Sequence, residues 1–282
     1  MDRFRNTLLV AALLFAAGIA VAGDGAEFTR VDTSDDGRPR ALQLGINRFV
    51  RDDGATVDLV GAVHVGDRAY YAELNDRFRA YDALLFELVA PPDADFARLA
   101  DRGKGLLSTT QVGLTKLLGL TFQLDEIDYG QPNFVHADLS PSELHESMVE
   151  RKESLYVYFW RVVFASIDEY ARDPLGLRDL EVLSSMITTG EPPSMKVLMA
   201  YEMTDLQAVR DLLGEDSDSA IVGARNARAI EVLRRELDAG SRHVGIFYGV
   251  AHMPDLAERL VDGLGFAYAG TDWVDAWLLA DD

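Results

Sequence analysis

The 282-residue chain contains no cysteine, which removes disulfides, thiolate zinc sites and cysteine nucleophiles together. It is also short of basic charge. Lys and Arg number 27 against 47 Asp and Glu, a formal net charge of −20, which opposes phosphate backbones and anionic lipid alike and excludes nucleic acid as an expected partner. Neither H-E-x-x-H nor G-x-x-x-x-G-K-[ST] occurs, and Ser108, Thr109 and Thr110 lack the glycines of a nucleophile elbow, so a zincin, a P-loop nucleotidase and a serine hydrolase all lose support. Five histidines remain, with Asp and Glu, to supply any catalytic or metal-binding chemistry. What the chain does have is 48% hydrophobic and 26% charged residues, the balance of an ordinary globular protein able to bury a core.

The longest uncharged apolar run, residues 8–21, is 14 residues, about 21 Å of helix, too short for the roughly 30 Å hydrocarbon core of a bilayer. Arg3 and Arg5 precede it and Ala20-Val21-Ala22 stands at its end, a small-x-small cleavage pattern. Residues 1–22 therefore read as a bacterial secretory signal. The expectation is a mature chain, residues 23–282, that is periplasmic or secreted and keeps no membrane span; the alternative is an uncleaved anchor.

Beyond a polar leader containing Asp35-Asp36-Gly37, residues 40–50 are strand-like, Asp52-Asp53-Gly54 signals a turn and residues 57–62 form a second apolar strand, so a hairpin is expected. Tyr70, Tyr71, Leu74 and Phe78 recur at helical spacing after Asp67, and the apolar run 83–86 reads as another strand, the neighbour of the one before His64. Residues 93–219 are mostly helical in pattern, with Ser140-Pro141 opening one helix and the aromatic stretch 155–170 forming another. Alternation then returns: a helix over 226–237, a stop at Gly240, a strand over 243–248, a helix over 255–262 and a last strand near 266–269. The expected fold is one α/β domain over residues 23–282. A central mixed sheet is assembled from N- and C-terminal strand-helix halves, with the helical middle inserted between them.

The two halves share a constellation: Val60-Gly61-Ala62-Val63-His64-Val65-Gly66-Asp67 and Tyr248-Gly249-Val250-Ala251-His252-Met253-Pro254-Asp255. Each is a strand, then G-x-x-H-x-x-D, then a helix. Glycine permits a sharp turn or a close approach, and the aspartate can cap the helix. Both histidines fall at carboxyl ends of strands, the edge where open α/β sheets bind ligands. Glu87, just behind Leu84-Leu85-Phe86, is expensive there unless paired, hydrogen-bonded or bound to metal. His64, His252 and Glu87 together would make an open first-row metal site with a water of lowered pKa. The plainer readings are hydrogen-bonded strand-end histidines and a buried ion pair between Glu87 and Arg225. Arg225 can hold a carboxylate or a developing oxyanion, and Asn226 can orient water or substrate; a solvated helix start is the alternative. His136 and Asp138 are secondary candidates that a loop before Ser140 also explains. His145 and His243 read as structural or solvated.

The GAVH before a helix, the YDALLFEL strand, the ARNARAIEVL helix and the terminal FYGVAHMPDL resemble the TraB family, with its bacterial GumN-like members and the Tiki metalloproteases; QPNFVHADLS in the middle matches loosely. The resemblance implies an α/β fold related to erythromycin-esterase-like and ChaN-like proteins, with His64 and His252 in a shared site, Glu87 beside them and Arg225 and Asn226 in an RN motif. It further implies a divalent cofactor, Mn, Co or Zn, and a peptide or small-molecule substrate. The leading expectation is an exported metal-dependent hydrolase acting on amide bonds. The alternatives are a metal-free esterase-like hydrolase with a histidine base, and a non-enzymatic haem- or metal-binding protein.

Overall fold

The computed structural model describes residues 26–91, 94, 120–151, 153, 195–204 and 219–279. The expected signal at 1–22, the Ser108–Thr110 cluster and the aromatic helix over 155–170 lie outside them. Within them run β1 (Thr29–Thr33), β2 (Pro39–Val50), β3 (Thr56–Ala62), the two-residue β4 (Val65–Gly66), α1 (Arg68–Phe78) and β5 (Ala83–Phe86). The middle supplies β6 (Thr121–Phe122), α2 (Gln123–Glu126), β7 (Phe134–His136), α3 (Pro141–Glu150) and α4 (Met195–Glu202). A π-helical turn at Ala220–Ala224 leads into α5 (Arg225–Ala239), then β8 (His243–Gly249), a 3-10 turn (Val250–His252), α6 (Met253–Leu264) and β9 (Ala267–Leu278).

Seven strands form one mixed sheet. β2 is long enough to organise one side of it: one of its edges pairs with β9 along residues 41–50, while the other pairs with β1 and then with β3, both antiparallel. The β2–β3 hairpin is the expected one. β1 falls within the stretch that reads as a polar leader, because Thr and Asp hide its alternation. Beyond β3 the sheet is parallel, in the order β3, β8, β5, β7. These inner strands are covered on both faces, and β5 (Ala-Leu-Leu-Phe) is buried at every position, the continuous apolar signature of a parallel interior.

Two features depart from expectation. The strand bearing Glu87 does not neighbour the strand before His64: β8, from the C-terminal half, lies between them. Apolar periodicity identifies strands but carries no information on their lateral order. The segment QPNFVHADLS is not part of a helical insertion either; its Phe134–His136 is β7, an outer strand of the main sheet. Neither half closes a sheet alone, since β8 supplies the pairing for both β3 and β5.

The helices bury one face each, and that of α1 is the one its periodicity predicts. Tyr70, Tyr71, Leu74 and Phe78 are the buried face of α1; Asn226, Ala229, Ile230 and Leu233 fall on that of α5, and Leu256, Ala257 and Leu260 on that of α6. α5 ends at Gly240, whose φ of 109° is a left-handed stop that a side chain would resist. None of the described helices is long and apolar enough to cross a membrane.

A candidate active site at the carboxyl edge of the parallel strands

Because β3, β8, β5 and β7 run parallel, the residues that follow them gather at one edge of the sheet: His64 after β3, His252 after β8, Glu87 after β5, and Asp138 after β7. Glu87 is held there because the ladder continues past its strand, its N–H donating to the Phe247 carbonyl at 3.2 Å. Asp138 arrives the same way, the Ala137 N–H bonding the Phe86 carbonyl at 3.2 Å.

Arg225 and Asn226 reach this edge from α5. The π-helical turn before them, capped by the Ser219 hydroxyl accepting from the Val222 and Gly223 N–H groups, alters the helical pitch just where the two side chains must point inward. The guanidinium of Arg225 grips Asp138 with Nε at 2.9 Å and Nη2 at 2.5 Å, and the same Nη2 donates to Glu87 Oε1 at 2.7 Å. The other Glu87 oxygen accepts the Gly249 N–H at 2.6 Å. Burial opposes the charge on Glu87, but the Arg225 guanidinium, with His252, His64 and the Gly249 N–H, outweighs it and holds the carboxyl at about 2. The ion pair between Glu87 and Arg225, the plainer of the two readings of Glu87, is thus present. Of the guanidinium nitrogens, Nε and Nη2 are committed in this way, and Nη1 has no hydrogen bond to a described residue.

His252 is 5% exposed and its tautomer follows from Asn226. The Asn226 Nδ2 donates to the His252 carbonyl at 3.1 Å and to Asp255 Oδ2 at 2.7 Å, so Oδ1 faces the imidazole and accepts from Nδ1–H at 2.7 Å. Nε2 is then the lone-pair nitrogen, and it lies 3.6 Å from Glu87 Oε1. Burial and nearby Arg225 push the imidazole down to about 4 against the pull of Glu87, so it is neutral at pH 7. Asn226 orients a histidine rather than a free water.

His64 sits differently. It is exposed, on a bend between β3 and β4, yet near enough to lower the pKa of Glu87. The expected order of motif and then helix holds at His64, where α1 starts directly after Asp67 although β4 intervenes, and is shortened at His252, where α6 starts at Met253, before Asp255. The two aspartates of the repeat do not cap their helices. Asp67 accepts from the Leu278 N–H at 2.6 Å and from Lys196 at 3.2 Å; Asp255 accepts from Asn226 and from Arg259 at 2.6 Å. Nor do the glycines turn the chain, since neither Gly61 nor Gly249 has a positive φ. They allow close approach: a Cβ on Gly249 would meet Glu87 Oε2 at 3.2 Å, and one on Gly61 would meet Val250 at 3.3 Å.

His136 lies at the same edge, its Nε2 2.7 Å from the Leu88 carbonyl. His145 is exposed on α3. His243 opens β8 at the opposite edge, with Nε2 3.3 Å from Asp58. Two residues escaped the sequence reading: Gln123, whose N–H bonds the His64 carbonyl at 2.9 Å, and Tyr129, whose hydroxyl accepts from Gln123 at 2.8 Å and whose ring packs on Phe86. They belong to a segment with no motif, which the β4–β6 pairing and the bonds of Asn75 to Glu126 and Asp128 bring near.

Among the described residues no group of three or more His, Asp and Glu side chains is gathered as a metal-ligand set. What is preset is a pair. Two ligand atoms each about 2.1 Å from a tetrahedral first-row ion lie about 3.4 Å apart, close to the 3.6 Å between His252 Nε2 and Glu87 Oε1. No protein-family model matches the chain, and no curated protein matches it significantly.

Proposed function

We propose that this chain is an exported metal-dependent hydrolase acting on amide bonds of a peptide or small molecule, with His64, His252 and Glu87 as ligands of a divalent ion, Mn, Co or Zn. The observation that carries the reading is the facing pair: a neutral imidazole with its lone pair on Nε2, and a carboxylate 3.6 Å away, two acceptors with no proton of their own to share. A cation satisfies both. Such an ion supplies Lewis acidity and a bound water whose pKa falls toward roughly 7. The chain's own contributions are distinct. Asn226 keeps the His252 lone pair on Nε2, Arg225 keeps Glu87 ionised, and the Arg225 Nη1 group is a donor for a developing oxyanion. Export rests on Arg3, Arg5, the apolar run and Ala20-Val21-Ala22, and intact mass of the mature protein tests cleavage after Ala22.

A second reading, metal-free hydrolysis with a histidine as general base, is favoured by one observation: both Glu87 oxygens already have donors, Arg225 and Gly249. One set of measurements separates the two. Calorimetric titration with Zn, Mn and Co is expected to register binding that His64→Ala and His252→Ala each weaken, and turnover of a peptide and ester panel is expected to vanish on exhaustive chelation. Turnover that survives chelation but not His252→Ala would select the base mechanism. Turnover surviving both histidine changes ends both readings.

A further inference from the structure

The bend carrying His64 is fastened through its backbone by three separate parts of the chain. Three consecutive carbonyls are each engaged: Val63 by the Tyr71 hydroxyl at 2.9 Å, His64 by the Gln123 N–H at 2.9 Å and Val65 by the Trp277 indole N–H at 2.7 Å. Two further bonds join the bend to the neighbours of Trp277. The Asp67 N–H donates to the Ala276 carbonyl at 2.9 Å, and Asp67 Oδ2 accepts the Leu278 N–H at 2.6 Å.

This attachment depends on an irregularity in β9. Leu42 pairs with Trp277 and Gln43 with Asp275, so Ala276 has no partner across β2, the arrangement of a β-bulge. Side-chain alternation breaks at the same place: Val274 is buried, Asp275 exposed, Ala276 and Trp277 both buried, and Leu278 exposed. The extra residue frees the Ala276 carbonyl for Asp67 and turns the Trp277 indole toward Val65, which regular alternation would have directed to the other face. Trp277 is fully buried, and its ring nitrogen is matched to a single carbonyl.

We propose that Trp277, presented by this bulge, is a positioning residue for His64: it acts through the Val65 carbonyl to hold the bend in the geometry that presents the imidazole at the sheet edge that carries Glu87. The inference rests on the reading of His64 as a functional ligand, and it extends the site to a strand with no motif of its own. His252 is positioned by a different device, the Asn226 amide, so the two histidines are separately addressable.

The test uses the whole mature chain and reads the histidine rings directly. Long-range 15N–1H spectra are recorded for wild type and for Trp277→Phe, which removes the indole donor while keeping an aromatic ring. Tyr71→Phe removes the bond to Val63 and serves if Trp277→Phe does not fold. Tyr70→Phe is the control, since it deletes an equally buried hydroxyl bond to the Gly61 carbonyl at 3.0 Å within β3, where the parallel ladder to β8 holds the backbone. The expected result is displaced or broadened His64 resonances in Trp277→Phe and Tyr71→Phe, with His252 in place in both and Tyr70→Phe like wild type. Where turnover has been found, kcat falls about tenfold with KM unchanged. Unmoved His64 resonances overturn the proposal, as does an equal displacement of His64 and His252 or an equal response to Tyr70→Phe. The spectra need neither metal nor turnover, so absence of hydrolysis with the His64 response intact would sink the functional reading alone.

Discussion

Residues 60–67 and 248–255 carry the same glycine, histidine and aspartate at the same spacing, but the structure puts them in opposite situations. His252 is buried, with its Nδ1 proton bound to an amide and a helix starting at the next residue; His64 is exposed on a bend that is fastened through its backbone and through Asp67. Even the registers differ by one, for Gly61 pairs with Tyr248 and Ala62 with Gly249. The glycines are kept for different neighbours, Val250 in one case and Glu87 in the other. A repeated motif here specifies two strand ends on one edge, and it leaves to the rest of the chain what each strand end becomes. One histidine is preorganised by its side-chain partner, the other is positioned by the peptide that carries it.

The contrast is most severely tested at Arg225. Arg225→Met leaves Glu87 and Asp138 buried without their common cation, and a loss on the order of 3–5 kcal/mol in urea unfolding is expected, far above any change made at His64. A loss under about 1 kcal/mol would mean that water reaches these carboxylates freely.

Acid separates the histidines next. A buried His252 titrating at about 4 rather than its unfolded value near 6.5 keeps its proton off in the folded state, so its contribution is fully present above about 6.5. That contribution is lost as pH falls through about 4, because the unfolded chain binds the proton first. Glu87, depressed to about 2, adds a second loss as pH falls from about 4.5 toward 2. Urea midpoints measured against pH should therefore decline in two stages, and His252→Gln should remove the first and spare the second. A single decline unchanged by that substitution would contradict a buried neutral His252.

Asn226→Leu removes the acceptor for His252 Nδ1 and two donors at once; about 2 kcal/mol and a shift of the His252 tautomer in 15N spectra are expected. Gly249→Ala, whose methyl must displace Glu87 Oε2, should cost about 1–2 kcal/mol. His64→Gln is the smallest change: an exposed side chain with its bend held elsewhere should alter stability by less than about 0.5 kcal/mol. A larger loss would show that the His64 imidazole itself supports the fold and would dissolve the contrast.

Much of this edge was legible before any coordinates. Strands end where they must when an apolar run meets a polar residue, which is why the runs before His64, Glu87 and His252 locate them, and 3.6-residue periodicity names the buried face of α1. Asp138 was visible only as a candidate, since nothing local distinguishes a loop aspartate from one that grips an arginine 87 residues away in the chain. The apolar pattern marks β9 only near residues 266–269, although the strand has twelve residues, because Gly270, Thr271 and Asp272 interrupt that pattern and its stability comes from the length of β2 alongside it.

The sequence by itself determined the strand ends, the amphipathic helices and the residue types able to bear charge or a lone pair, since each depends on hydrophobicity and spacing within a short stretch of chain. Only the tertiary structure decided that β8 stands between β3 and β5, that Arg225 serves two carboxylates, that Asn226 sets the His252 tautomer and that a bulge in β9 reaches the His64 bend. Each of these is a pairing between residues far apart in the chain, and such pairings are selected by the burial and hydrogen-bond satisfaction of the whole sheet rather than by any segment's own preferences.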